Sequence, residues 1–218
     1  MNERLSVNEV AGPPHAAALS AHDGTWGHDS YDGVHFDAVT VEDVAAGGAD
    51  FLECAFTQVG FERGRLRGSR FNEVWLRDVR LVGTDARETD WLDATLLSSV
   101  LAGVEAYGSS LRRVTFRGCK LDSVNLRDCK ITDVTFEDCL LRDVDLRGAR
   151  LVRTRFPGSR LSRVDLSNVT LDKVDLRGAE LGLTISPDSL RGAIISTGQL
   201  LDLAPALAQT LGILVKDR

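Results

Sequence analysis

The sequence repeats with a period of five residues, and this period excludes both a regular helix and a flat strand. From Tyr31 to Leu181 every fifth residue is apolar, at 31 of 31 positions, and all eight Phe lie on this register. Two residues before each large position lies a smaller residue, such as Val34 or Cys54. An α-helix repeats every 3.6 residues and a strand every two. We therefore predict a chain that turns every five residues and packs one large and one small residue inward each time.

The residues at the predicted turns support this prediction. Two residues after each large position the sequence has Gly, Asp or Asn in 18 of 31 cases, for example Gly68, Asp128 and Gly148. These residues accept the positive φ that the third position of a type II turn requires. Each five-residue unit is therefore expected to end in a tight corner.

The repeat unit resembles a known family. The runs V-D-L-R-G at 144–148 and 174–178, and A-R-L-V-R at 149–153, are similar to the A(D/N)LXX motif of pentapeptide-repeat proteins. The resemblance covers residues 31–181. It implies an all-β solenoid, a right-handed quadrilateral parallel β-helix with four pentads per coil and a C-terminal α-helical cap. With strands stacked about 4.8 Å apart, about 7.75 coils give a rod about 37 Å long.

The register divides the chain into three predicted parts. Residues 1–30 form an N-terminal arm that is partly mobile, residues 31–183 form the β-helix, and residues 184–218 form a helical cap or dimerisation segment. A helical pattern opens at Ser196 and stops at Gly212, and Pro205 inside it predicts a kink or a split. We expect the cap and a homodimer interface to use Leu200, Leu203, Leu207 and Leu211. The family resemblance implies the same dimer.

Charge is distributed unevenly along the repeat. The chain has 26 Lys and Arg against 32 Asp and Glu, a net charge of −6, which argues against direct nucleic-acid binding through bulk charge. The first coils are the most acidic part. The candidate acidic patch consists of Asp32, Asp37, Glu42, Asp43, Asp50 and Glu53.

One apolar band interrupts the charged outward positions. Residues 94–104 contain no charged residue, and apolar residues occupy outward positions in and beside this segment. We predict a partner surface formed by Leu92, Leu97, Val100, Ala102 and Tyr107. The alternative is that the N-terminal arm covers the band. Nearby, Ala86 and Ala106 replace large inward residues one coil apart, which predicts a dent in that wall.

No catalytic, cofactor-binding or metal-binding site is expected. All four Cys occupy the small inward position of the repeat, and the four His are irregularly spaced near the N-terminus. No apolar stretch reaches the roughly 18 residues of a membrane span, and we expect a cytoplasmic protein that is not an enzyme.

The resemblance also carries an expectation about function. The chain is similar to the mycobacterial fluoroquinolone-resistance pentapeptide-repeat proteins, which implies binding to DNA gyrase or topoisomerase IV and protection from quinolone-like poisons by DNA mimicry. The alternative is a structural or protein-interaction scaffold with no topoisomerase role.

Overall fold

The chain winds into a parallel β-solenoid with one C-terminal helix. The computed structural model describes residues 12–13, 16–22, 24, 26–27 and 30–216. Strands pair in parallel with the strands 20 residues further along, as in Tyr31↔Phe51, Phe36↔Phe56 and Val41↔Phe61. Twenty residues make four pentads, so each coil has four sides. The predicted solenoid is confirmed.

The four sides are called faces A to D. Face A consists of Ser20–Ala21, Val34–Asp37, Ala55–Thr57, Trp75–Arg77, Thr95–Leu97, Thr115–Arg117 and Thr135–Glu137, continued by Val174–Asp175 paired with Ala193–Ile194. Face B consists of Ser30–Asp32, Asp50–Leu52, Arg70–Asn72, Asp90–Leu92, Ser110–Arg112, Lys130–Thr132, Arg150–Val152 and Thr170–Asp172. Face C consists of Thr40–Glu42, Gly60–Glu62, Arg80–Val82, Val100–Ala102, Lys120–Asp122, Leu140–Arg142, Arg160–Asp165 and Glu180–Thr184. Face D is linked by single bridges at Ala45, Arg65, Asp85, Glu105, Asn125, Asp145 and Asp165. At its end Asp165 also pairs with Thr184, as part of the pairing of Arg160–Asp165 with Glu180–Thr184.

The corners between faces have the backbone conformation that the sequence predicts. All 30 corner positions, at every fifth residue from 33 to 178, have positive φ, and 20 of them are not glycine. An L-residue in this left-handed region costs about 1–2 kcal/mol. The ladder hydrogen bonds on both sides of each corner hold it there, for example Gln58 N donating to Arg77 O at 2.9 Å.

This corner strain leads to a prediction. Gln58 is an exposed corner residue with φ of 53°. We expect Gln58→Gly to raise the free energy of unfolding by about 1 kcal/mol, because glycine adopts this φ without strain. Lys130→Gly, on an exposed strand position, is the control and should lower it by about 0.5–1 kcal/mol. Chemical denaturation of both variants measures the difference, and a loss of stability in Gln58→Gly would contradict the strain argument.

The core is a set of stacked columns that run along the rod. On face B, Tyr31, Phe51, Phe71 and Trp91 stack with ring centroids 5.1, 4.8 and 4.0 Å apart and with planes within 10° of parallel. On face A, a second column of Phe continues through the later coils with centroids 4.7 and 5.1 Å apart. Because each coil places the same position above the last, one side chain supports the next. The core is therefore continuous from coil to coil.

Both ends of the solenoid are covered. At the N-terminal end the Trp26 ring stacks on Phe36, with centroids 4.9 Å apart, and Ser20–Ala21 adds a short strand to face A. At the other end the helix Thr197–Thr210 starts at the N-cap Ser196, whose side chain accepts a hydrogen bond from Gln199 N. These contacts cover coil ends that would otherwise expose apolar residues and unpaired backbone groups.

Pro205 does not split the C-terminal helix, so of the two expected effects, a kink or a split, the split is wrong. Thr197–Thr210 is one helix with Pro205 inside it. Proline removes the hydrogen bond to the carbonyl four residues earlier, which belongs to Leu201. Leu201 is exposed, so water can satisfy that carbonyl. The predicted start at Ser196 and the stop at Gly212, which has φ of 69°, are confirmed.

Candidate interaction surfaces

The N-terminal segment covers part of the predicted apolar band. Leu97 is 3% exposed and packs with Ala55 and Trp75 in a small cluster on face A, and Leu19 covers this cluster. The backbone fixes this cover, because Ser20 N donates to Gly33 O at 2.8 Å and His22 N donates to His35 O at 3.0 Å. The expectation that Leu97 is exposed is therefore wrong. The alternative, that the N-terminal arm covers the band, applies to Leu97. The predicted mobility of the arm concerns residues that mostly lie outside the part of the chain that the structure describes.

The other residues of the predicted partner surface lie on three different faces. Leu92 is on face B, Val100 and Ala102 are on face C, and Tyr107 is on face D. Leu92, Val100 and Ala102 are partly buried, and Tyr107 is 36% exposed. The band therefore encircles the rod. Val100 and Ala102 lie together on face C, and Tyr107 lies at the far end of the neighbouring face D, beyond Glu105.

The predicted acidic patch is also divided among faces. Asp32 and Asp50 lie on face B, with Glu53 at the corner that follows it. Asp37 lies on face A, and Glu42 lies on face C, with Asp43 at the corner that follows it. Basic residues of the next coil form ion pairs with three of the six acids. Arg63 contacts Glu42 at 3.0 Å and Asp43 at 3.1 Å, and Arg70 contacts Asp50 at 3.3 Å. The six acids therefore do not form one acidic surface.

Acids and bases are balanced on every face of the rod. Among the outward residues from 30 to 183, face A carries four bases and five acids, face B seven and eight, face C six and six, and face D five and six. Many form pairs between adjacent coils, such as Asp93–Arg113 at 2.6 Å and Asp133–Arg153 at 2.6 Å. Hydrogen bonds from the Arg113 guanidinium lower the pKa of Asp93. These solvated pairs contribute little stability each, but they leave no face strongly charged.

The cysteines are buried and are suited to packing rather than chemistry. Each is a free thiol at the small inward position, and its sulfur contacts backbone carbonyls, as in Cys54 Sγ to Tyr31 O at 3.4 Å. Burial raises the pKa of Cys54 to about 11 and that of Cys129 to about 12. Neither thiol is therefore ionised at neutral pH. In the described part of the chain no group of three or more His, Cys, Asp or Glu could hold a metal ion.

The C-terminal helix attaches to the last coil through one side of its surface. Leu203 is buried, and Gln199 Nε2 donates to Leu176 O at 2.6 Å and to Ala179 O at 2.8 Å. These carbonyls belong to the last corner of the solenoid, where no further coil follows to pair with them. Gln199 was not among the predicted site residues, although its place in the S-x-x-Q capping box was a sequence signal.

The role of Gln199 leads to a second prediction. Replacing it with Ala leaves two buried carbonyls without donors, so Gln199→Ala should lower the free energy of unfolding by about 2 kcal/mol. Gln199→Glu keeps the side-chain shape but cannot donate, and should be at least as unstable. The exposed Gln209→Ala is the control. A loss below about 0.5 kcal/mol in urea denaturation would show that Gln199 does not hold the cap.

A neighbouring side of the same helix is apolar and exposed. Leu200 is 48% exposed, Leu201 69% and Leu211 64%, and the following residues Leu214 and Val215 are also exposed. At 100° per residue, Leu200, Ala204, Ala208 and Leu211 form one stripe, distinct from the side that carries Leu203. Of the predicted cap and dimer residues, Leu203 therefore packs on the solenoid, Leu207 is partly buried, and Leu200 and Leu211 face outward. No helix in the described part of the chain is long and apolar enough to cross a membrane.

One family model and several solved structures are similar to this chain. Residues 90–184 match the family model of the pentapeptide repeat region. Trypsin-treated QnrB1, a plasmid-mediated fluoroquinolone resistance protein, is 16% identical over 87% of this chain and 97% of its own, with a TM-score of 0.42. A pentapeptide repeat protein of the Arabidopsis thaliana thylakoid lumen is 22% identical over 42% of this chain and 64% of its own, with a TM-score of 0.40. HetL, involved in heterocyst differentiation regulation in the cyanobacterium Nostoc sp. strain PCC 7120, is 19% identical over 80% and 93%, with a TM-score of 0.28.

No curated protein matches the sequence. The five-residue register, the four-sided coil and the match over residues 90–184 together show that the chain has the pentapeptide-repeat fold.

Proposed function

We propose that this chain is a non-enzymatic binding protein, a rod that joins a second copy through its C-terminal helix and offers its faces to a protein partner. The observation that carries the proposal is the exposed apolar stripe of Leu200, Ala204, Ala208 and Leu211, together with Leu201 and the apolar residues that follow. Contiguous exposed apolar surface on a soluble protein is typical of an interaction site.

The two sides of the helix have different surroundings, and this difference supports the proposed interface. One side of the helix already caps the solenoid through Leu203 and Gln199, so the outer stripe has no role in covering the core. A helix of 14 residues is marginal alone and gains stability from each apolar side that it buries. A second copy presents the same stripe, and a two-fold axis lets each stripe cover the other. The two rods then meet end to end.

Light scattering of the full chain and of one double variant tests the self-association. We expect twice the chain mass of 23.7 kDa for the natural sequence and a single chain mass for Leu200→Glu with Leu211→Glu. Both residues are exposed, so the melting temperature should change little. Gln209→Glu, on the other exposed edge of the helix, is the control and should remain a dimer. If the double variant remains a dimer, the stripe is not part of the dimer interface.

A more specific candidate partner is a type II topoisomerase, DNA gyrase or topoisomerase IV. The sequence resemblance to the fluoroquinolone-resistance pentapeptide-repeat proteins implies it. A solenoid without loop insertions in residues 30–184 has a shape suited to a DNA-binding groove. The charge of the rod, however, does not favour DNA mimicry as the mechanism. Duplex DNA as long as the rod, about 37 Å, carries about 22 negative charges, whereas the outward residues carry 25 acids and 22 bases.

The topoisomerase candidate has a direct test. In a supercoiling assay with purified gyrase, the candidate predicts that the protein at micromolar concentration reduces inhibition by a quinolone. The Leu200→Glu, Leu211→Glu variant would show whether the dimer is needed. If the protein at tens of micromolar neither inhibits supercoiling nor protects the enzyme from the drug, gyrase is ruled out as the partner. The scaffold with a different protein partner then stands.

A further inference from the structure

The core contains a cavity where two large inward residues are missing. On face D the inward position is occupied by Leu66, Ala86, Ala106 and Leu126 in four successive coils. Two adjacent alanines remove six side-chain carbons relative to the neighbouring leucines. The coil does not close fully around this loss, and a cavity of about 40 Å³ lies beside the two alanines. Its wall includes Trp91, Leu101, Phe116 and Leu121.

The polar groups beside the cavity are bonded to one another. Thr89 Oγ1 lies 2.9 Å from Ala86 O and 3.0 Å from Ser109 Oγ, and it accepts a hydrogen bond from Trp91 Nε1 at 3.0 Å. Ser109 Oγ also donates to Ala86 O at 3.1 Å. A water molecule in a cavity needs two to four polar partners, and this network leaves few for one. The cavity is therefore expected to be dry.

The cavity lies close to the surface at the corner of faces C and D. Leu101 and Ala106, which line it, are only partly buried, whereas Leu81 and Leu121 directly before and after Leu101 on face C are buried. Around this corner Val100, Ala102 and Tyr107 replace the charged residues that occupy most outward positions. On the face C side an apolar molecule can thus approach over Val100 and Ala102, whereas on face D Arg87, paired with Asp85, lies 5.7 Å from the centroid of the Tyr107 ring.

We propose that this cavity binds a compact apolar molecule that enters at the corner of faces C and D. The class follows from size and lining. Apolar protein cavities of about 150 Å³ remain dry and take benzene or xenon. A volume of about 40 Å³ restricts this site to a smaller guest, such as a rare-gas atom or a very short hydrocarbon. This inference is independent of the proposed dimer and of any topoisomerase role.

Xenon is the probe that tests the site. The full chain is labelled with ¹³C at leucine methyl groups and titrated with xenon under pressure, and methyl shifts are followed by NMR. We expect saturable shifts at Leu101 and Leu121, which line the cavity, and none at Leu171, which lies several coils away. Ala106→Leu restores the residue of the neighbouring coils and fills the space, so it should weaken xenon binding at least tenfold.

Two further variants keep the test decisive. Ala106→Val fills the cavity with a smaller side chain and serves if Ala106→Leu does not fold. Asn168→Gly, at an exposed corner near the other end of the rod, is the control and should keep the shifts. Absence of saturable shifts in the natural sequence, or shifts that persist unchanged when residue 106 is enlarged, would overturn the proposal.

Discussion

Phe136→Ala should lower the free energy of unfolding by about 3–5 kcal/mol. Phe136 is 2% exposed and lies between Phe116 and Phe156, with ring centroids 4.7 and 5.1 Å away. Removing the ring leaves a cavity in the middle of the column, and the coils on either side are fixed by ladder hydrogen bonds that limit collapse. Urea denaturation followed by circular dichroism measures the change.

Phe136→Leu is the matched variant, because it keeps an apolar side chain in the same place. We expect it to lose less than half as much stability. If Phe136→Ala costs no more than Phe136→Leu, the volume that the side chain fills at this position contributes little, and the continuous core column is not what holds the coils together.

Leu97→Arg should lower the free energy of unfolding by about 3 kcal/mol, because it places a charge under the N-terminal segment. Leu97 packs against Ala55 and Trp75, and Leu19 closes the cluster from outside. Arginine at this position either buries a cation without a partner or displaces the segment. Thermal unfolding and limited proteolysis of the N-terminal segment measure the two effects.

Leu92→Arg is the control for this substitution. Leu92 lies on face B at the equivalent outward position of the preceding pentad, and it is not part of the Leu97 cluster. It should change the melting temperature by no more than about 2 °C. Equal melting temperatures for the two variants would mean that the N-terminal segment does not hold Leu97 in solution, and the band would again be a candidate partner surface.

The solenoid could be predicted from the sequence because its determinants are local and repeated. One register of large residues from Tyr31 to Leu181 defines the inward side of every pentad, and the corner residues two positions later define the turns. Every one of the 30 corners then has the same sign of φ, including those occupied by Arg, Lys or Glu. Once ladder hydrogen bonds form on both sides of a corner, they outweigh the preference of the single residue.

The interaction surfaces could be predicted only in part, because they depend on contacts between distant segments. Nothing in the repeat shows that Leu19 returns to cover Leu97. The apolar pattern of the C-terminal helix also does not indicate which side packs on the solenoid. The two hydrogen bonds from Gln199 to the last corner determine this side. The acidic residues of the first coils looked contiguous along the chain, but turning every five residues distributes them over three faces.

The distance between two labelled chains tests the central claim, that rods join end to end through the exposed stripe. The natural cysteines are buried and their thiols, such as Cys54 with its raised pKa, resist labelling in the folded protein. A spin label can therefore be attached at Gln209→Cys, on the same helix but outside the stripe, or at Asp37→Cys, in the first coil. Pulsed electron paramagnetic resonance should give an inter-chain distance below about 30 Å at position 209, since packed helices lie 8–10 Å apart. At position 37 the distance should be about 70 Å or more, two rod lengths. A short distance at position 37, or none at position 209, would contradict the account.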